Sequence, residues 1–201
     1  MPVTQGKVFY KGEDITSLPP HKRAHMGIGR SYQITNIFPN LTSLENIRLA
    51  AQAKGKDNFK IFSRADDFKE YIEKAIEVLE IVGLAGKEAF LARDLPHGDK
   101  RKLELGIMLA CDPELLLFDE PTAGMSSEQV PDLIEIIKKV VNIKSRTAIL
   151  VEHRMDIVMS ISDVITVMNQ GRILAEGGPR EIATNEQVQI AYLGDLYGEL
   201  A

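Results

Sequence analysis

Two short apolar runs, Leu115–Phe118 and Ala148–Val151, flank a stretch in which Leu133, Ile134, Ile137, Val140 and Val141 fall on one helical face. No other feature restricts the fold of this chain as much. Runs without polar alternation need cover on both faces, and strand, helix, strand in that order joins the strands as parallel neighbours through a crossover. The expected class is α/β with a parallel sheet.

The rest of the chain falls around that unit. Val8-Phe9-Tyr10 before Lys11-Gly12-Glu13-Asp14 reads as a short strand entering a turn, and Pro19-Pro20 opens the amphipathic stretch HKRAHMGIGR. From Leu41 to about Asp112 the pattern is helical. Thr42 or Ser43 can cap LENIRLAAQAK, Phe68, Ile72, Ala75, Ile76 and Leu79 recur at helical steps toward Gly83, and a further helix follows Gly98. After Phe118 a helix is expected from about Ser127. Val164–Met168 and Arg172–Glu176 flank Asn169-Gln170-Gly171, which suits a hairpin, and a polar, partly helical tail closes the chain.

Composition narrows the function. With 201 residues, 44% apolar and 26% charged, the chain can form a core that buries roughly 70% of its unfolded surface. A formal net charge of −5 gives no whole-chain field for a polyanion, so no nucleic-acid partner is expected. The single Cys111 cannot form an internal disulfide and reads as a small buried hydrophobe. No apolar run is long enough to span a bilayer as a helix, and the first residues have neither the basic nor the apolar region of a secretory signal. His21 and His25 stand four apart but lack a catalytic Glu between them, and Lys100-Arg101-Lys102 reads as a solvated helix face.

Three segments carry chemistry. LLLFDEP ends an apolar strand in Asp119 and Glu120, at the sheet edge where open α/β proteins bind ligands. An Asp there can hold Mg2+ through a water, and the next carboxylate can polarise a water that attacks a phosphoryl group; a solvated strand end is the plainer alternative. AILVEH ends a second strand before His153, placed to bond a terminal phosphate or to serve structure alone. In LPHGDKRKLELGIMLA, Gly98 opens a helix whose free N–H groups and positive dipole end can receive an anion, unless this is an ordinary helix start.

In this order and spacing the segments resemble the nucleotide-binding subunits of ABC transporters over essentially the whole chain. IGRSYQ is similar to the family's Q-loop with Gln33, LPHGD to its signature, LLLFDEP to Walker B, TAGMS to the D-loop and ILVEH to the switch-histidine loop. DITSLPPHKRAHMGIGRSYQ, EPTAGM, VMNQGRILAEG and AYLGD resemble the branched-chain amino acid importers and their urea-type relatives.

The resemblance implies a P-loop NTPase-like (RecA-like) parallel core with an inserted helical subdomain. Residues 1–40 would hold the remainder of the core and the Q-loop, 41–112 the helical subdomain with the signature, and 113–201 the rest of the core with the hairpin and tail. It implies ATP and Mg2+ as ligands, Glu120 as general base, Asp119 as the Mg2+-linked carboxylate, Gln33 as sensor of metal and γ-phosphate, and His153 as γ-phosphate contact. Pro96, His97, Gly98 and Asp99 would act on ATP held by a second ATP-binding subunit, identical or not. Permease subunits in the membrane would be the other partners, which places the chain on the cytoplasmic face.

The sequence departs from the family pattern. Pro96 and His97 stand where Ser and Gly are usual, so one hydroxyl is absent from the signature, and Asp99 stands in place of the common Gln. Arg154 follows the switch histidine where Asp is frequent. Nowhere does G-x-x-x-x-G-K-S/T occur, so the chain is expected to be a family member without its N-terminal portion. Three or four lost charge-assisted bonds amount to roughly 5 to 10 kcal/mol, or about four to seven powers of ten in nucleotide affinity. The expected consequences are no appreciable hydrolysis by the chain alone, and an unpaired sheet edge with exposed apolar faces. A degenerate subunit offering only its signature face is the second reading, and the same engine serving another cargo the third.

Overall fold

The computed structural model describes residues 3–31, 37–55, 68–143 and 145–191. The chain divides into two compact units, Met1–Val151 and Glu152–Ala201.

The first unit opens with a small antiparallel hairpin, β1 (Phe9–Tyr10) and β2 (Glu13–Asp14). Lys11 and Gly12 connect it with φ of 50° and 82°, the left-handed pair that matches the twist of a two-residue hairpin. Helix α1 (Pro20–His25) starts on a proline and leads into β3 (Ile28–Arg30).

Helices α2 (Ser43–Lys54), α3 (Lys69–Ile81) and α4 (His97–Ala110) pack on one another, and Ile47, Val78, Leu79, Leu84 and Leu103 are fully buried. Thr42 caps α2, its Oγ1 accepting the Glu45 N–H at 3.1 Å. Glu45 does not return the bond to Thr42; both its oxygens take the Arg48 guanidinium, at 2.8 and 2.9 Å. A turn of 3-10 helix at Ala92–Asp94 and an isolated bridge between Thr42 and Leu91 tie the start of α2 to the approach of α4.

The chain then enters β4 (Leu115–Asp119), crosses over through α5 (Val130–Ile143) and returns in β5 (Thr147–Val151). The sheet order is β3-β4-β5, all parallel, with Leu115 opposite Ile28 on one side and Thr147 on the other. The α/β expectation is met, with the crossover helix starting at Val130, later than Ser127. Residues 121–129 form the turn instead, held by Ala123 N–H to Glu120 O and Gln129 N–H to Ser126 O.

Leu116 and Phe118 are buried, and α4 and α5 supply Leu105, Met108, Leu133 and Ile137 around the small cavity that Phe118 lines. Arg146 fastens the other end of the crossover. Its guanidinium donates to Pro113 O at 2.9 Å, Val140 O at 2.8 Å and Asp112 Oδ1 at 3.1 Å, with 8% of the side chain exposed.

Strand β5 behaves differently. It is outermost among the described strands of its sheet, and Ile149 and Val151 are 53% and 57% exposed. Apolar β-branched residues on an uncovered edge are what parallel sheets ordinarily bury.

The second unit contains α6 (Met155–Ile161), the antiparallel pair β6 (Ile165–Asn169) and β7 (Arg172–Gly177), and α7 (Pro179–Thr184). Gln170 and Gly171, with φ of 49° and 75°, make the turn, and Asn169 pairs with Arg172 as the last residue of β6. Ile165, Ile182 and Val188 form its core, with Met155, Val158, Met159 and Leu174 against them. Among the described residues no helix is long and apolar enough to cross a membrane.

Two outcomes follow. Thr42→Ala removes one cap and lowers stability by about 1 kcal/mol in denaturant unfolding, with the slope unchanged. Val151→Lys puts a charge on the β5 edge and reduces self-association, read by light scattering against concentration; equal scattering from both proteins excludes this edge as the adhesive surface.

Candidate functional site

The C-terminal ends of β4 and β5 lie side by side, because Asp119 and Val151 are register partners. The Glu120 N–H donates to Val151 O at 2.9 Å, so the ladder extends one residue past β4. At that residue the backbone leaves the strand with φ of 45°, a left-handed conformation that costs a side-chain-bearing residue roughly 1–2 kcal/mol. The turn breaks the in-and-out alternation, so Glu120 does not take the next strand position after Asp119.

Asp119 is held from β3. Its N–H donates to Ser31 Oγ at 3.2 Å, and its carboxylate, 34% exposed, meets Arg30 Nη2 at 3.3 Å. Neither partner was legible in the sequence, since IGRSYQ says nothing of which strand stands beside LLLFDEP. The parallel register does, setting Arg30 against Leu117.

The signature-like residues open α4. Pro96 and His97 are exposed, Gly98 is buried and Asp99 is half-buried. No side-chain cap bond closes the helix start. The bare face of Gly98 is turned to the turn after Glu120: a methyl there would stand 3.0 Å from the Gln129 amide nitrogen. A methyl on Gly124 would stand 3.4 Å from His97 Cε1. Pro96–Asp99 and residues 121–129 therefore form one packed corner of the first unit, and Gln129 joins it without any sequence signal. Asp99 is ion-paired with Lys87, which again no local pattern announces.

Gln33 lies outside the described residues. His153, second residue of the second unit, has its side chain 73% exposed; its backbone N–H donates to Glu152 Oε2 at 3.2 Å. Arg154 has a local partner in Asp156 of the first turn of α6, Nη2 to Oδ2 at 2.7 Å. That guanidinium holds the Asp156 carboxyl below the usual carboxylate range.

Among the described residues no cluster of three or more His, Cys, Asp or Glu could hold a metal. The Asp119 carboxylate offers a hard oxygen donor, which suits Mg2+, an ion that takes one or two carboxylates and completes its shell with water and phosphate oxygens. The residues fit Mg2+ as a companion of a phosphate ligand and do not form a self-sufficient metal cage.

The conformation at Glu120 generates a prediction. Glu120→Gly leaves stability unchanged or raises it by up to about 1 kcal/mol, whereas β-branched Val lowers it by about 1–2 kcal/mol. Urea unfolding of the two variants decides it; equal losses would mean that the left-handed turn stores no strain.

Comparisons with known proteins extend the geometry. A family model described as ABC transporter matches residues 1–123, and one described as branched-chain amino acid ATP-binding cassette transporter matches residues 172–196. Over 199 residues the chain is 37% identical to the high-affinity branched-chain amino acid transport ATP-binding protein BraF of Pseudomonas aeruginosa, covering 96% of this chain and 77% of BraF. Over 197 residues it is 34% identical to the high-affinity branched-chain amino acid transport ATP-binding protein LivG of Escherichia coli, with the same coverage. A solved nucleotide-free ATP-binding cassette from an ABC transporter matches with a TM-score of 0.78 at 27% identity, over 96% of this chain and 78% of that one. With an α/β parallel sheet of the ABC cassette fold and relatives at this level, the chain belongs to the ABC transporter ATP-binding proteins, in their branched-chain amino acid transport type.

Proposed function

We propose that this chain is the ATP-binding subunit of an importer for branched-chain amino acids, working on the cytoplasmic face of the membrane in a pair of cassettes attached to permease subunits. The observation that carries the reading is the strand end at Asp119 and Glu120. β4 delivers both carboxylates beside the end of β5, and the left-handed turn takes Glu120 out of the strand's alternation. Two adjacent carboxylates serving different atoms is what phosphoryl transfer to water requires.

In this reading Glu120 accepts a proton from the attacking water and Asp119 orients the metal through a bound water. Charge neutralisation across the phosphates is what Mg2+ supplies when bound with the nucleotide. Gln33 and His153 contact the terminal phosphate. Arg30, paired with Asp119, holds that carboxylate in place before nucleotide arrives. The α4 start, Pro96–Asp99, faces ATP held by the second cassette, where backbone N–H groups do the work of the missing signature hydroxyl.

Attachment to a permease is supported by Phe38 and Phe90, 58% and 52% exposed. Both are fastened to the first turn of α2: the Phe38 N–H donates to Asn46 Oδ1 at 2.8 Å, and Phe90 O accepts the Ser43 N–H at 2.9 Å. Rigidly held exposed aromatics are the usual anchors of protein interfaces.

This polypeptide has no G-x-x-x-x-G-K-S/T of its own. The exposure of Pro96 and His97 at the start of α4 suits a second reading, a subunit that lends its signature face to a partner cassette and hydrolyses nothing itself. Retention of Glu120 and His153 favours the first.

The experiment is an ATPase assay on the purified chain, alone and mixed with an intact cassette. Alone, turnover stays at the buffer rate. A rate that disappears in Glu120→Gln would overturn the claim that this polypeptide is inactive by itself. A fluorescent ATP analogue titrated with and without the intact cassette separates the two readings: binding only in the mixture, insensitive to Glu120→Gln, supports the lending subunit.

A further inference from the structure

Asp99 creates an electrostatic difficulty at α4. A carboxylate in the first turn of a helix is attracted to the same dipole and the same N–H donors that an incoming phosphate would use. Left as a bare negative charge, it would also repel that phosphate. The structure answers with a counter-ion from outside the helix, the ammonium of Lys87 on Asp99 Oδ2.

The placement of Lys87 is not casual. It sits on a tight turn in which Gly86 has φ of 81° and donates its N–H to Glu88 Oε1 at 2.8 Å, while the Lys87 N–H donates to Leu84 O at 3.0 Å. Glu88 O in turn accepts the Leu44 N–H of α2 at 3.1 Å. The turn is thus braced against α2, and the ion pair reaches from it to α4. Asp99 is 13% exposed and Lys87 38%, so solvent screens the pair only in part. The other cations that follow Asp99 in sequence are engaged elsewhere: Lys100 donates to Arg93 O at 2.8 Å, Arg101 pairs with Glu104 and Lys102 with Asp132.

We propose that Lys87 is a positioning residue for the phosphate contact at α4, acting by cancelling the charge of Asp99. The inference rests on the reading of Pro96–Asp99 as the face that meets a nucleotide, and adds to it a residue outside the signature-like segment. Removing Lys87 leaves one uncompensated negative charge in the first turn. Removing Asp99 leaves one uncompensated positive charge beside it. The two changes therefore move polyphosphate affinity in opposite directions, whereas a pair that merely braces the turn would respond to both losses in the same direction.

The test uses the full chain at low ionic strength, with tripolyphosphate as probe and its 31P linewidth as the readout of binding. K87Q weakens binding by about two- to fivefold, D99N strengthens it by a similar factor, and K87Q/D99N returns it close to the parent value. K138Q, which removes the same charge from a pair with Glu135 on α5, leaves it unchanged. Melting temperatures of all four variants establish that each is folded. Lys87 loses the proposed role if K87Q and D99N move affinity the same way, if neither moves it, or if K138Q moves it as far as K87Q. If neither the parent chain nor D99N broadens the line, the α4 start of this chain takes no polyphosphate for Lys87 to position and the inference falls, while the analogue titration with the intact cassette still judges the reading beneath it.

Discussion

The middle strand of the three-stranded sheet is the constraint on which the rest of the first unit depends. β4 is bonded on both sides, to β3 and β5, and its alternate residues Leu116 and Phe118 are buried. Its start is fixed by Arg146, which bonds Pro113 O and Asp112 from the far end of the crossover. Its end is fixed by the Glu120 N–H on Val151 O. A strand gripped at both ends and on both edges cannot slide by one residue without turning its buried side chains outward. That rigidity places two carboxylates at a defined point, as chemistry on a phosphate demands.

Charge around the candidate site is balanced pair by pair. Asp119 has Arg30 from the neighbouring strand, and Asp99 has Lys87 from a loop. The first, the more exposed of the two, contributes little to stability, about 0 to 1 kcal/mol, because water screens it and long side chains lose freedom. Their effect is on direction and on local potential. A carboxylate held by a guanidinium is oriented, and one cancelled by an ammonium no longer repels an anion.

The two edges of the sheet are unlike. β3 lies against α4, so closely that a methyl on Gly29 would stand 2.8 Å from Met108 Cγ. β5 carries Ile149 and Val151 more than half exposed. Among the described residues β5 is bonded to β4 alone, and such an edge is suited to further association, since unpaired backbone groups and apolar side chains there gain from being covered. The crossover fold and this apolar edge come from the same property, strands written for burial on both faces.

Much of the fold was legible from local pattern. Thr42-Ser43 announced the start of α2, the apolar runs announced parallel strands, and Asn169-Gln170-Gly171 announced a hairpin, because periodicity and turn chemistry are properties of neighbouring residues. The same holds for Asp119, Glu120 and Gly98, which stand at ends of elements that the pattern delimits. What could not be read were the partners: Arg30 and Ser31 on Asp119, Gln129 on Gly98, Lys87 on Asp99, Arg146 on the start of β4. The amino-acid order alone determined the element types and the residues at their ends, through steric preference and hydrophobic period. Only the tertiary structure decided which ends meet and which charges cancel, because strand order and the approach of a helix to a loop are set by packing among residues far apart along the chain.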